Sequence, residues 1–386
     1  MDYFDHNATT PVDERVLEAM QPYFRHQFGN PSSLHQYGRL ARSAIDQARH
    51  QVAELVNVSP SQVIFTSGGT EANNLAVQGS IAANPACRKV LFSSIEHASI
   101  LSQAGVLEQL GCQVSRLPVE ATGLLSVNAL EKIVQADADE NVLISIMTVN
   151  NETGVIQDIA SLSRRIRKKH EHAVIHSDAS QAAGKMSLDF AHLGVDMLTL
   201  SAHKMYGPKG AGALILSHGC QLEPVLWGGG HERGWRPGTE NVPAIVGFGM
   251  AAQLAMDELQ VNRQRLQRLQ TLFENSLREN IPDAQIFSDK APRVPSTSCF
   301  SIPRIHGEAM VMQLDQHGFA VSSGSACESG TDEPSHVLTA MGVDPDIALG
   351  AVRVSFGVYQ SESDIDRFCD TLVREVRNLR CSDMAF

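Results

Sequence analysis

Short apolar runs alternate along this chain with longer stretches in which apolar residues return at helical spacing, the pattern of an α/β protein. The runs at 62–65, Lys89–Ser93, AVIHSD, 197–200 and 213–216 predict strands. The run at 141–149, NVLISIMTV, predicts a central strand buried on both faces. Helices are predicted over 12–24, over about 40–56, where Ala41, Ile45, Ala48, Val52 and Leu55 keep the period, and over 99–110. A long helical stretch follows from about 242 to 280. Because strands and helices alternate from Gln62 to Leu216, a mostly parallel sheet covered on both faces is expected. Further on, GAVRVSFG alternates, so Val352, Val354 and Phe356 form the core face and Arg353 points the other way.

With 386 residues the chain exceeds one ordinary domain, and two are expected. A formal charge of -12 argues against a nucleic-acid partner, and the densest basic run, SRRIRKKHEH, falls on a predicted helix as a solvated outer face. The start, MDYFDHNATTP, is acidic and polar where a secretory leader is basic then apolar, and no apolar segment approaches bilayer-spanning length. A soluble, cytoplasmic protein with no membrane partner is expected. Seven scattered cysteines without a CxxC pair fit a reducing compartment better than a disulfide framework. The 15 histidines show no HExxH spacing, and no metal is expected.

The chemistry concentrates at predicted strand ends, where an α/β sheet presents residues to a ligand crevice. VDMLTLSAHKMYGPKGAGALIL sets Lys204 between two apolar runs. A lysine there forms a Schiff base with a carbonyl when burial or a nearby cation lowers its pKa, and a solvated loop lysine fits the same position. Asp178 and Gln181 follow the AVIHSD run; Asp178 suits either a protonated pyridine nitrogen, as in pyridoxal phosphate (PLP), or a cap on the next segment. TSGGTEANN puts Gly69 and Thr70 at a helix start after a strand, which reads as an anion cradle or as an ordinary capped turn. SSIEHAS brings His97 to another strand end, and NNETG brings Asn151. Cys327, in AVSSGSACESGTDEP, lies among serines and glycines, the setting of an exposed thiol rather than a core one. Arg353 is either solvated or a bidentate carboxylate clamp.

DHNATTP near residue 5, HSDASQ, SAHKMYGPKG and SSGSAC together resemble the cysteine desulfurases of the class V aminotransferase group, PLP enzymes of fold type I. The resemblance runs from near residue 5 to near residue 380. It implies a mostly parallel seven-stranded sheet between helices, in a large domain over 15–260, plus a smaller α+β domain made of 1–14 and 261–386 that carries the cysteine loop. It implies PLP on Lys204, with Asp178 at the ring nitrogen, His97 stacked on the ring and moving protons, and Gln181 and Asn151 at the ring oxygen. Gly69, Thr70, Ser201 and His203 would hold the phosphate, joined by Thr239 across a homodimer interface. Asn7, Asn151 and Arg353 would bind the substrate, L-cysteine. Cys327 would take its sulfur as a persulfide, to be passed to a sulfur acceptor or an iron-sulfur scaffold protein. A selenocysteine lyase or another class V aminotransferase is the nearest alternative reading, and a catalytically silent docking module in iron-sulfur assembly is one of another class. The thiol loop speaks against an aminotransferase, and Lys204, Asp178 and Cys327 together speak against a silent homologue. Glu328, where relatives often carry threonine, and a chain that stops soon after Arg380 leave the acceptor open.

Overall fold

The structure is a computed structural model that describes residues 1–135, 141–324 and 333–383. Its strands, in chain order, begin with β1 (Asp2–Tyr3), β2 (Val63–Thr66), β3 (Lys89–Ser93), β4 (Gln113–Leu117), β5 (Val142–Ser145) and β6 (Val174–Asp178). They continue with β7 (Met197–Ser201), β8 (Gly212–Leu216), β9 (Gln285–Ile286), β10 (Thr297–Ser301), β11 (Phe319–Ala320), β12 (Ser322–Ser323) and β13 (Ala351–Ser355).

Seven of these form one sheet in the order β2-β8-β7-β6-β5-β3-β4. From β4 to β7 all neighbours are parallel, and only β8 runs against both β7 and β2. The alternation of side chains along each strand feeds two separate cores. Val63, Phe65, Ile144, Leu198 and Ile215 pack on one face with Ile45, Ala48 and Val52 of the helix Gln36–Leu55. Ile64, Leu143, Met197 and Leu214 pack on the other with Ala72, Leu75 and Ala76 of the helix Gly69–Ala83. Both faces are therefore dry, which is why the strands read as unbroken apolar runs.

The remaining strands form an antiparallel sheet, β12-β13-β10-β9, and a parallel pair, β1-β11. Their core joins the two ends of the sequence. Phe4 stacks on Phe368 with ring centroids 4.7 Å apart, and Phe273, Phe300, Phe319 and Phe356 close around them.

Three boundaries differ from the sequence expectation. The 141–149 run is a strand only through Ser145, because β3 offers its last partner there, Phe92 opposite Ser145. Ile146 and Thr148 still donate to the carbonyls of His176 and Asp178. The helix expected over 99–110 is two short ones, Ala98–Leu101 and Ala104–Gln109, and the stretch over 242–280 breaks at Glu258 into Val242–Asp257 and Leu259–Asn280.

The three consecutive glycines at 228–230, followed by charged residues, read from sequence as a flexible surface segment, but the segment also holds a buried charge. Glu232 is buried; its carboxylate accepts from Arg49 at 2.5 and 2.8 Å and from the backbone N–H of Phe65 at 2.8 Å. Arg49 lies over the Phe65 ring at 4.7 Å, so this pair clamps the segment to β2. Removing one partner strands a buried charge at a cost of about 3–5 kcal/mol. Arg49→Met should thus lower the midpoint of thermal unfolding, and adding Glu232→Leu should restore much of the loss. An unchanged midpoint in Arg49→Met would show that the clamp contributes nothing.

Candidate active site

The carboxyl ends of β3, β5, β6 and β7 open on a cleft of about 350 Å³, within the roughly 300–1,000 Å³ of small-molecule sites. Eleven of the expected residues line it: Asn7, Gly69, Thr70, His97, Asn151, Asp178, Gln181, Ser201, His203, Lys204 and Arg353. Thr239 is exposed and does not line this cleft. Cys327 lies outside the described residues, as does Glu328. The flanks of that segment are held near the cleft: Gly324 N donates to Ala351 O, and Ser335 Oγ donates to the carboxylate of Glu152, next to Asn151.

Asp178 ends β6 and is buried. One carboxylate oxygen accepts from Ser180 N and the other from Asn73 Nδ2, each at 2.8 Å. The first bond is the local capping role left open by the sequence, so Asp178 does that and faces the cleft as well. Asn73 also donates to Ser99 Oγ at 2.8 Å, and His97 caps its own short helix through Nδ1, 3.1 Å from Ser99 N. Burial lowers the pKa of His97, with Asp178 acting in the opposite sense.

Lys204 follows β7 by three residues, and its Nζ donates to Asn7 O at 2.5 Å and Ala8 O at 2.8 Å. Burial, then Lys204 and Lys209, push His203 down to about 4. Arg353 is not solvated. It is 3% exposed, its Nη2 donates to Asp5 Oδ1 at 2.6 Å, its Nη1 donates to Asn151 O at 3.3 Å, and its Nε is buried without a partner. Val352, Val354 and Phe356 lie in the aromatic core, as the alternation requires.

The remaining corner is built for an anion. The helix Gly69–Ala83 starts with no side-chain cap, which leaves backbone N–H groups of its first turn without that partner. Beside it the hydroxyls of Ser180 and Ser201 are buried and lack hydrogen-bond partners. A Cβ on Gly69 would stand 3.0 Å from Ser180 Oγ, so a larger residue there would press on that hydroxyl. Unfilled buried donors around a positive helix end fit a phosphate group.

Sequence reasoning passed over Asn73, Ser99, Ser180 and Lys185. Asn73 left a trace, a polar residue among Ala72, Leu75, Ala76 and Val77 on the buried face of its helix. Lys185 left the i+4 spacing from Gln181. Burial, then Lys204 and Arg353, lower its pKa to about 7.

The model of the family described as aminotransferase class-V matches residues 2–368. A cysteine desulfurase IscS of Dictyoglomus turgidum is 40% identical over 379 residues, covering 98% of this chain and 95% of that one. Among solved structures, a NifS-like protein aligns with a TM-score of 0.91 at 36% identity, covering 97% of this chain and 99% of that one. A structure of SspA in complex with cysteine aligns at 0.80 and 33%, covering 94% and 100%. The chain belongs to the class-V aminotransferases and, within them, to the cysteine desulfurases, a PLP-dependent family.

Histidines held neutral by burial contribute to the acid response, His6 and His176 among them. Burial lowers both His6 and His176 to about 4. Between about pH 6.5 and 4 the unfolded chain therefore binds protons at these sites that the folded one refuses, and stability falls as pH drops through that window. Each residue accounts for at most about 3 kcal/mol. His176→Gln should flatten the fall of the unfolding midpoint between pH 7 and 4, whereas a parallel curve would show that His176 is not neutral in the fold.

Proposed function

We propose that this protein is a PLP-dependent cysteine desulfurase whose cofactor is held by Lys204, Asp178 and the corner around Gly69, and whose sulfur receiver is Cys327. The observation that carries this reading is the meeting, in one cleft, of Lys204, the buried Asp178 carboxylate and the unpartnered Ser180 and Ser201 hydroxyls at an uncapped helix start. When bound, PLP supplies an electron sink for charge released at the substrate Cα.

Lys204 would hold the cofactor's aldehyde carbon and, once displaced by the substrate amine, take the proton from Cα. Asp178, held by Ser180 N and Asn73, would keep a proton on the ring nitrogen. His97 would cover the ring and pass protons. Gln181 and Asn151 would hold the ring oxygen, Gly69, Thr70, Ser201 and His203 the phosphate, and Asn7, Asn151 and Arg353 the substrate carboxylate. The thiol of Cys327 takes the substrate sulfur: the carbon–sulfur bond breaks, a sulfur–sulfur bond forms, and protonation at carbon gives L-alanine.

Thr239 would act in the other copy of a homodimer. Its exposure outside its own cleft supports this, as do the exposed Phe24, Phe28, Leu34 and Trp227. The smaller unit would comprise 1–14 and 261–386 and the larger one 15–260. No helix among the described residues is long and apolar enough to cross a membrane. All six described cysteines are free, which fits work in the cytoplasm and transfer of sulfur to an acceptor or iron-sulfur scaffold protein.

The purified protein, loaded with PLP, should release alanine from L-cysteine and gain one sulfur on the peptide containing Cys327. Absence of both would refute the reading. Loss of the Arg353 donors removes about 1.5–3 kcal/mol of charge-assisted bonding, so Arg353→Met should raise KM for cysteine roughly tenfold to a hundredfold. An unchanged KM would take Arg353 out of substrate binding.

A further inference from the structure

Lys185 has no task in the reaction outlined above, yet it holds two residues that do. Its Nζ donates to Gln181 Oε1 at 2.5 Å and to Asn7 Oδ1 at 2.8 Å. While protonated, Lys185 has donors and no acceptor, so it then faces only the oxygen end of each amide. The nitrogen ends are thereby fixed. Gln181 Nε2 donates to Asn7 O at 2.9 Å, and Asn7 Nδ2 donates to Asn151 O and Thr297 Oγ1 at 2.9 and 2.8 Å. Both amides line the cleft, whereas Lys185 stands behind them on the wall of a small cavity of about 40 Å³ that it shares with Lys204.

We propose that Lys185 is a positioning residue that turns the amide oxygens of Gln181 and Asn7 towards itself, so that Gln181 offers the cleft an N–H. This rests on the cofactor reading above, in which Gln181 meets the phenolic oxygen of PLP. Gln181 Nε2 carries two hydrogens, one of them on Asn7 O, which leaves one for that oxygen. Without Lys185 only the bond to Asn7 O still holds the amide's polarity. The amide can then turn its own oxygen towards the phenolic oxygen, and acceptor meets acceptor.

The test is a pH titration of the visible absorption band of the PLP-loaded protein, a readout independent of turnover. A donor on the phenolic oxygen favours its ionised form, so losing that donor raises the midpoint. Lys185→Met is expected to raise it by about one pH unit, Gln181→Leu by a similar amount, and the double variant by no more than the larger single change. Lys185→Gln, which fills most of the same space and has no fixed polarity, should shift in the same direction and serves if Lys185→Met does not fold. A Lys185→Met shift that persists in full in the Gln181→Leu background would overturn the proposal, since charge alone would then explain it. An unchanged midpoint in both Lys185 variants would overturn it too. A parent protein that shows no cofactor band would overturn the cofactor reading itself, and that result is seen before any substitution is made.

Discussion

Two cations, Lys204 and Arg353, line the cleft and a third, Lys185, stands behind it, and like charges taken out of water must each find compensation nearby. Lys185 and Lys204 border a shared cavity, and Arg353 lies close enough to lower the pKa of Lys185. The compensation comes from residues 5–8 in every case. Asp5 takes Arg353, Asn7 O and Ala8 O take Lys204, and Asn7 Oδ1 takes Lys185 with help from Gln181. The N-terminal arm is thus the counterweight of the site.

That role explains how the arm is anchored. β1 pairs with β11, Phe4 is fully buried in the aromatic core, and Asn7 N donates to Ser355 Oγ at the end of β13. The same β13 carries Arg353. Arm and arginine therefore reach the cleft from one scaffold, while Asp178 and Lys204 reach it from the parallel strands β6 and β7. Two cores meet where the charges meet. Asn7 ties them through its bonds to Asn151 and Thr297, one on each side.

Strand ends with one conspicuous polar residue were legible in the sequence, because buried strands are apolar runs and the break is visible. Asp178, His97 and Lys204 were found that way, and the structure brings them to one cleft. Gly69 was legible as a strand–turn–helix start, but the unpartnered hydroxyls of Ser180 and Ser201 were not, since satisfaction depends on neighbours distant in sequence. For the same reason Arg353 remained open between solvent and clamp: its partner Asp5 is 348 residues away. The buried Arg49–Glu232 pair, 183 residues apart, was invisible behind three glycines. Boundaries failed where pairing rather than composition decides them, as at Ser145, where apolar residues continue beside β6 but the pairing with β3 ends.

Lys204 lines the cleft and Lys185 stands behind it, and of the two only Lys204 is proposed to bond the cofactor. Reduction of the PLP-loaded protein with borohydride, followed by digestion and mass spectrometry, reads this directly. A phosphopyridoxyl group is expected on the peptide containing Lys204, with Lys185 unmodified. Modification of Lys185, or of any other lysine in place of Lys204, would contradict it.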